Sequence, residues 1–64
     1  MFVVERYLRS RWVVLSYAEG PFRDVMECVN VWGIAENTRI RRIPAFPDSL
    51  EWQMVGRNII LGFA

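Results

Sequence analysis

Histidine and lysine are both missing from the 64 residues, and cysteine occurs once, at position 28. Without histidine, general acid–base chemistry would fall to carboxylates. The acidic pairs present, Asp24 with Glu27 and Asp48 with Glu51, read as helix-start and turn acids. A single cysteine excludes an intramolecular disulfide, and counting alone rules out zinc sites of four cysteines or of paired cysteines and histidines. No serine sits in a nucleophile elbow and no glycine-rich loop is available to cradle phosphate. These absences argue against an enzyme, and neither a cofactor nor a metal is expected. No segment approaches the roughly 20 apolar residues of a membrane span. Glu5, Arg6, Arg9 and Arg11 interrupt the region where a signal peptide needs an apolar run. A cytoplasmic protein, away from membranes, is the expectation.

What is abundant is apolar surface. Hydrophobic residues make up 53% of the chain and aromatics 14%, above the roughly 45–50% apolar usage of ordinary domains. Disorder is excluded on that ground. A chain of this length makes one domain, 1–64, and buries only about 60% of the surface its unfolded form exposes. With no disulfide or metal staple, stability must come from apolar packing, self-association or a partner. Large apolar patches left at the surface of so small a body point to an interface. A protein partner is therefore expected, with a homodimer as one form of it.

Charge narrows the partner less. Eight arginines oppose seven acids, for a net charge of +1, far from the basic balance of a dedicated nucleic-acid binder.

Residues 2–8, FVVERYL, and 12–18, WVVLSYA, have the β-branched and aromatic composition of strands. If Arg9 and Ser10 form a two-residue loop, Leu8 faces Arg11, Tyr7 faces Trp12 and Val4 faces Leu15. One face then carries Phe2, Val4, Leu8, Val13, Leu15 and Tyr17. The other carries Val3, Glu5, Tyr7, Trp12, Val14 and Ser16. The stretch EGPFRD signals a helix start, with Gly20 at the cap and Pro21 at the first helical position. Phe22, Val25, Met26, Val29 and Gly33 recur on one helical face. Two endings compete: Gly33 in the left-handed position, which would let Ile34 fold back on Val29, or a longer helix to Glu36 capped by Asn37. The longer is preferred, because it leaves Ile34 and Ala35 out of a loop. Cys28, mid-helix among apolar residues, reads as a small buried hydrophobe rather than a reactive thiol.

TRIRRI returns as a strand, with Thr38, Ile40 and Arg42 on one side and Arg39 and Arg41 on the other. Ile43 is out of phase, so a bulge or the strand end lies near Arg42. Pro44 and Pro47 interrupt pairing. Of the two readings of LEWQMVGRNIILGFA, a hairpin turning at Gly56-Arg57 is preferred over a short helical turn. It places Met54 beside Ile59 and Trp52 beside Leu61, with IILGF as a free apolar edge open to strand addition. The fold class is α+β: an N-terminal β-hairpin, one helix across an antiparallel sheet, a third strand, and a C-terminal strand or hairpin.

The candidate binding residues are Tyr7, Trp12, Arg39, Arg41 and Arg42. Tyr7 and Trp12 form a cross-strand pair that is either displayed, as interface anchors are, or covered by a C-terminal second core built on Trp52 and Phe63. The arginines either neutralise phosphates or line a solvated, protein-facing strand balanced by Glu5 and the other acids.

Residues 11–43, RWVVLSYAEGPFRDVMECVNVWGIAENTRIRRI, set a tryptophan-led strand, a short turn, one helix and a basic strand in sequence. In layout this stretch resembles small phage and mobile-element proteins that inhibit host machines, of the RNA-polymerase-inhibitor or anti-CRISPR type. The resemblance covers about half the chain. It implies a non-enzymatic interaction module that blocks a host nucleoprotein machine. The alternative is a small dimeric nucleic-acid binder using the arginine-rich strand.

Overall fold

The computed structural model describes residues 1–64. Five strands and one helix follow the order β1 (Phe2–Leu8), β2 (Arg11–Glu19), α1 (Phe22–Val31), β3 (Thr38–Arg42), β4 (Glu51–Met54) and β5 (Ile60–Phe63). All pairings are antiparallel, in the spatial order β3-β1-β2-β5-β4. The α+β class and the layout of hairpin, helix, basic strand and C-terminal hairpin are as expected. No helix is long and apolar enough to cross a membrane.

The β1–β2 turn is the two-residue loop Arg9-Ser10, and both residues hold positive φ, 51° and 67°. That is the backbone of a type I′ turn, whose twist matches the flanking strands. Leu8 pairs with Arg11 and Tyr7 with Trp12, as anticipated. Beyond Glu5 the register shifts: Val4 pairs with Ser16, not Leu15. A β-bulge at Leu15 places one extra residue in β2 and reverses the alternation that follows. Ser16 and Ala18 thereby turn toward the helix, and Tyr17 moves to the opposite face beside Val3.

Helix α1 lies on one side of this sheet. Phe2, Val4, Ala18 and Leu61 from the strands, Ile59 from the loop before β5, and Val25 and Val29 from the helix form the buried core. Leu15, Cys28, Ile34 and Ile40 pack against its margin. Half-buried Cys28 thus serves as a small apolar side chain. The helix begins one residue later than expected. Pro21 is the cap, extended at φ −62° and ψ 138°, and its carbonyl accepts the Asp24 and Val25 N–H groups at 3.0 and 3.1 Å.

The longer helix is not what forms. The helix stops at Val31, Trp32 is its C-cap, and Gly33 takes φ +70°. Gly33 N–H donates to Asn30 C=O and Ile34 N–H to Val29 C=O, at 3.0 and 3.3 Å. This double closure satisfies the last carbonyls and folds Ile34 back onto the core. Ile34 is therefore packed where the expectation had it stranded, and that contact favours the shorter ending. Asn37, left-handed at φ 56°, opens β3 instead of capping a helix.

The C-terminal hairpin forms, with its register displaced by one. Met54 pairs with Ile60 and Trp52 with Gly62, not with Ile59 and Leu61. The turn is longer than Gly56-Arg57 alone: Val55 N–H bonds Ile59 C=O at 3.1 Å across the loop. The expected free edge is also corrected. Strand β5 lies between β2 and β4, and the sheet edges are β3 and β4.

Candidate functional site

Period two along β1 puts Val3, Glu5 and Tyr7 on the face away from the helix. The register joins them into rows across the sheet. Arg41, Val3, Tyr17, Gly62 and Trp52 form the first row, Arg39, Glu5 and Val14 the second, and Tyr7 and Trp12 the third.

The first row is partly covered in its Val3–Tyr17–Trp52 stretch, while Arg41 at its β3 end is exposed. Residues 43–50 must join β3 at one edge to β4 at the other, and Phe46 on this crossing packs against the open face. Its ring meets Tyr17 edge-on at 6.1 Å and Trp52 at 4.9 Å. Gly62 permits this, since a Cβ there would come within 3.0 Å of the Trp52 ring. A second apolar cluster therefore exists and includes Trp52, as one reading expected. Its other members are Phe46 and Tyr17, because Phe63 has the opposite parity and remains exposed on the helix side. The cluster sits at the end of the sheet remote from the Tyr7–Trp12 pair and leaves that pair uncovered.

The second and third rows, with Arg41 from the first, make the candidate site. Tyr7 and Trp12 are 45% and 39% exposed, and their ring centroids lie 5.2 Å apart in a tilted pair. Such cross-strand aromatic pairs contribute about 0.5–1 kcal/mol. Beside them, Glu5 is only 6% exposed. Arg39 Nε donates to Glu5 Oε1 at 2.8 Å, while Arg41 Nε and Nη2 donate to Oε1 and Oε2 at 3.1 and 3.4 Å. The hydrogen bond from Arg41, reinforced by Arg39, lowers the Glu5 carboxyl below its ordinary range, although burial opposes the shift. In return Glu5 raises the already high Arg41 pKa.

Arg39 also extends over β1 to stack on Trp12, with its guanidinium carbon 4.0 Å from the ring centroid. This cation–π contact and the Glu5 bond hold the guanidinium flat on the aromatic. Only Arg39 Nε is engaged by Glu5, so its two terminal amino groups keep their donors for a partner.

Four of the five candidate residues, Tyr7, Trp12, Arg39 and Arg41, thus share one face. Arg42 does not join them. Its parity puts it on the helix side, where it stands 5.5 Å over the Phe2 ring. Two further contributors are Val14, exposed beside Trp12, and Glu5. The spacing was informative for Glu5: it lies two residues before Tyr7, and Arg39 and Arg41 are themselves two apart. That the acid bridges both arginines depends on β1 lying next to β3, a tertiary pairing.

Away from this face, α1 and the β4–β5 loop enclose a groove lined by Cys28, Val31, Trp32, Val55, Arg57 and Ile59. Comparison with protein-family models, curated proteins and solved structures yielded no match to this chain.

Proposed function

We propose that the chain is a non-enzymatic protein-interaction module whose working surface is the hairpin-tip part of the open face and the arginines beside it: Tyr7, Trp12, Val14, Arg39 and Arg41. The observation that carries this reading is the Arg39 stack on exposed Trp12, pinned from below by buried Glu5. A preorganised aromatic with a planar cation beside it loses little side-chain freedom on binding, which is what interface anchors require. The remaining arginine donors suit a carboxylate on the partner.

The nucleic-acid alternative draws less support from the same geometry. Glu5 already neutralises part of the Arg39–Arg41 charge, which weakens the attraction to a run of phosphates, whose binding grows with the number neutralised. Arg42, on the far face, adds nothing to such a site. The finer form of the reading is a cytoplasmic inhibitor, carried by a phage or mobile element, that covers a functional surface of a host nucleoprotein machine. Its support is the layout of residues 11–43 together with the small α+β fold.

The test is affinity capture with the wild-type chain and with Tyr7→Ala/Trp12→Ala, both checked for folding. A protein retained by the wild type and lost from the double variant is the expected result, and equal recovery by both contradicts the reading. In parallel, steeply salt-dependent binding to random DNA would favour the alternative.

A further inference from the structure

Strand β2 is paired along its whole length on one side only. On the other, β5 pairs with Tyr17, Ala18 and Glu19, and no strand pairs with Arg11–Ser16. A two-residue hairpin makes Leu8 and Arg11 a hydrogen-bonded pair, so Tyr7–Trp12 and Glu5–Val14 are non-hydrogen-bonded pairs. Tyr7 bears this out, since its N–H points away from β2 and donates to Asn37 C=O at 2.7 Å. By the same alternation, the N–H and C=O of Trp12 and Val14 point outward, along an unpaired edge. The side chains there are apolar on both faces: Trp12 and Val14 exposed on one, Val13 and Leu15 half-buried on the other.

From this we infer that the Trp12–Val14 edge of β2 takes up a second copy of the chain, antiparallel, with Val13 on the two-fold axis. Two rules restrict the register. An in-sheet two-fold keeps opposed residues on the same face only when the axis passes through a residue. Outward-pointing groups must also meet outward-pointing groups, as they do when Trp12 of each copy faces Val14 of the other. Of the axes these rules allow, only Val13 engages both Trp12 and Val14. An axis at Trp12 opposes Val14 with the turn residue Ser10, and one at Val14 opposes Trp12 with Ser16, which faces β1.

The resulting pairs are self-complementary. On the open face each Trp12 packs on a Val14, an aromatic–β-branched pair of the kind that stabilises sheets. On the helix side Val13 meets its own copy and Arg11 lies beside Leu15, so no like charges are opposed. The bulge at Leu15 ends the ladder. Joining the two sheets in this way removes an edge that would otherwise be open to unspecific pairing. The pairing shares the Trp12 and Val14 side chains with the proposed interface, but its test reads oligomeric state and main-chain exchange and needs no other protein.

Sedimentation over a wide concentration range, combined with amide hydrogen exchange read by NMR, tests it. The chain should sediment at twice the monomer mass at high concentration, with exchange at the Trp12 and Val14 amides slowed about tenfold or more relative to dilute conditions. Val14→Pro removes an outward N–H that makes no bond within the chain, a substitution edge strands tolerate, and should restore the monomer. Met54→Arg, on the β4 edge, should leave the dimer intact. A monomer at every concentration overturns the proposal. So does a dimer whose Trp12 and Val14 amides stay unprotected, or one that survives Val14→Pro or is lost with Met54→Arg.

Discussion

Glu5 sits in mid-sheet with its carboxylate shared between Arg39 and Arg41, so neutralising it leaves two guanidinium groups above an uncharged amide. Hydrogen bonds to charged groups contribute roughly 1.5–3 kcal/mol, discounted here because both arginines are half exposed. Glu5→Gln should therefore cost about 1–2 kcal/mol in a denaturant melt. The pH dependence follows from the depressed carboxyl. Its folded value lies below the ordinary 4.5, so its stabilisation is fully present above about pH 5 and is lost as pH falls through the lower folded value. Wild-type stability should drop over that acid range, and the Glu5→Gln variant should show a shallower drop. The Arg9-Ser10 turn offers a second residue-scale expectation. Two non-glycine residues hold left-handed φ there, which costs about 1 kcal/mol or more at each. Arg9→Asn with Ser10→Gly, the favoured pair for this turn, should add about 1 kcal/mol and raise Tm by about 4–8 °C in calorimetry.

Elements obey local rules until tertiary contacts break a tie. Gly33 illustrates both halves of this. Its left-handed C′ position was one of two endings open to the helix, and the Ile34 fold-back that went with it, weighed too lightly from the sequence, settled the choice once Ile34 met the core. Gly33→Ala should lower stability by about 1 kcal/mol, with the melt as the readout, since alanine must adopt φ near +70°. The strands, the hairpin turn and the helical face were legible from β-branched runs, polar breaks and three- and four-residue spacing. Both register errors had one physical source: period-two alternation carries no information about an inserted residue. The Leu15 bulge shifts parity by one and sends Tyr17 to a face that spacing alone misassigns, and the longer β4–β5 loop pairs Trp52 with Gly62 in place of Leu61. Crossings are equally hidden from local patterns. Phe46, between two prolines, gives no periodic signal, yet it covers Tyr17 and Trp52 because β3 and β4 end up on opposite edges. Phe46→Ala should expose that cluster, costing about 1–2 kcal/mol for a half-buried aromatic and red-shifting tryptophan emission.

Across the whole molecule, only 11 of 64 residues are buried, and the covered surface is unevenly placed. The helix shields one side of the sheet and the 43–50 crossing shields one end of the other. The hairpin tip extends beyond both, which is why Tyr7, Trp12 and Leu8 stay exposed in a chain rich in apolar residues. Composition made an interface expected, and the tertiary arrangement brings four of the five candidate residues onto one face while leaving Arg42 on the other. The central claim, that this tip is where another protein docks, is tested most directly by photo-crosslinking. A benzophenone amino acid would replace Tyr7 in one sample and exposed Met54 in another, in host cells or lysate. The account predicts a protein adduct from position 7 and none from position 54. Adducts from position 54 alone, or nucleic acid alone captured at position 7, would contradict it.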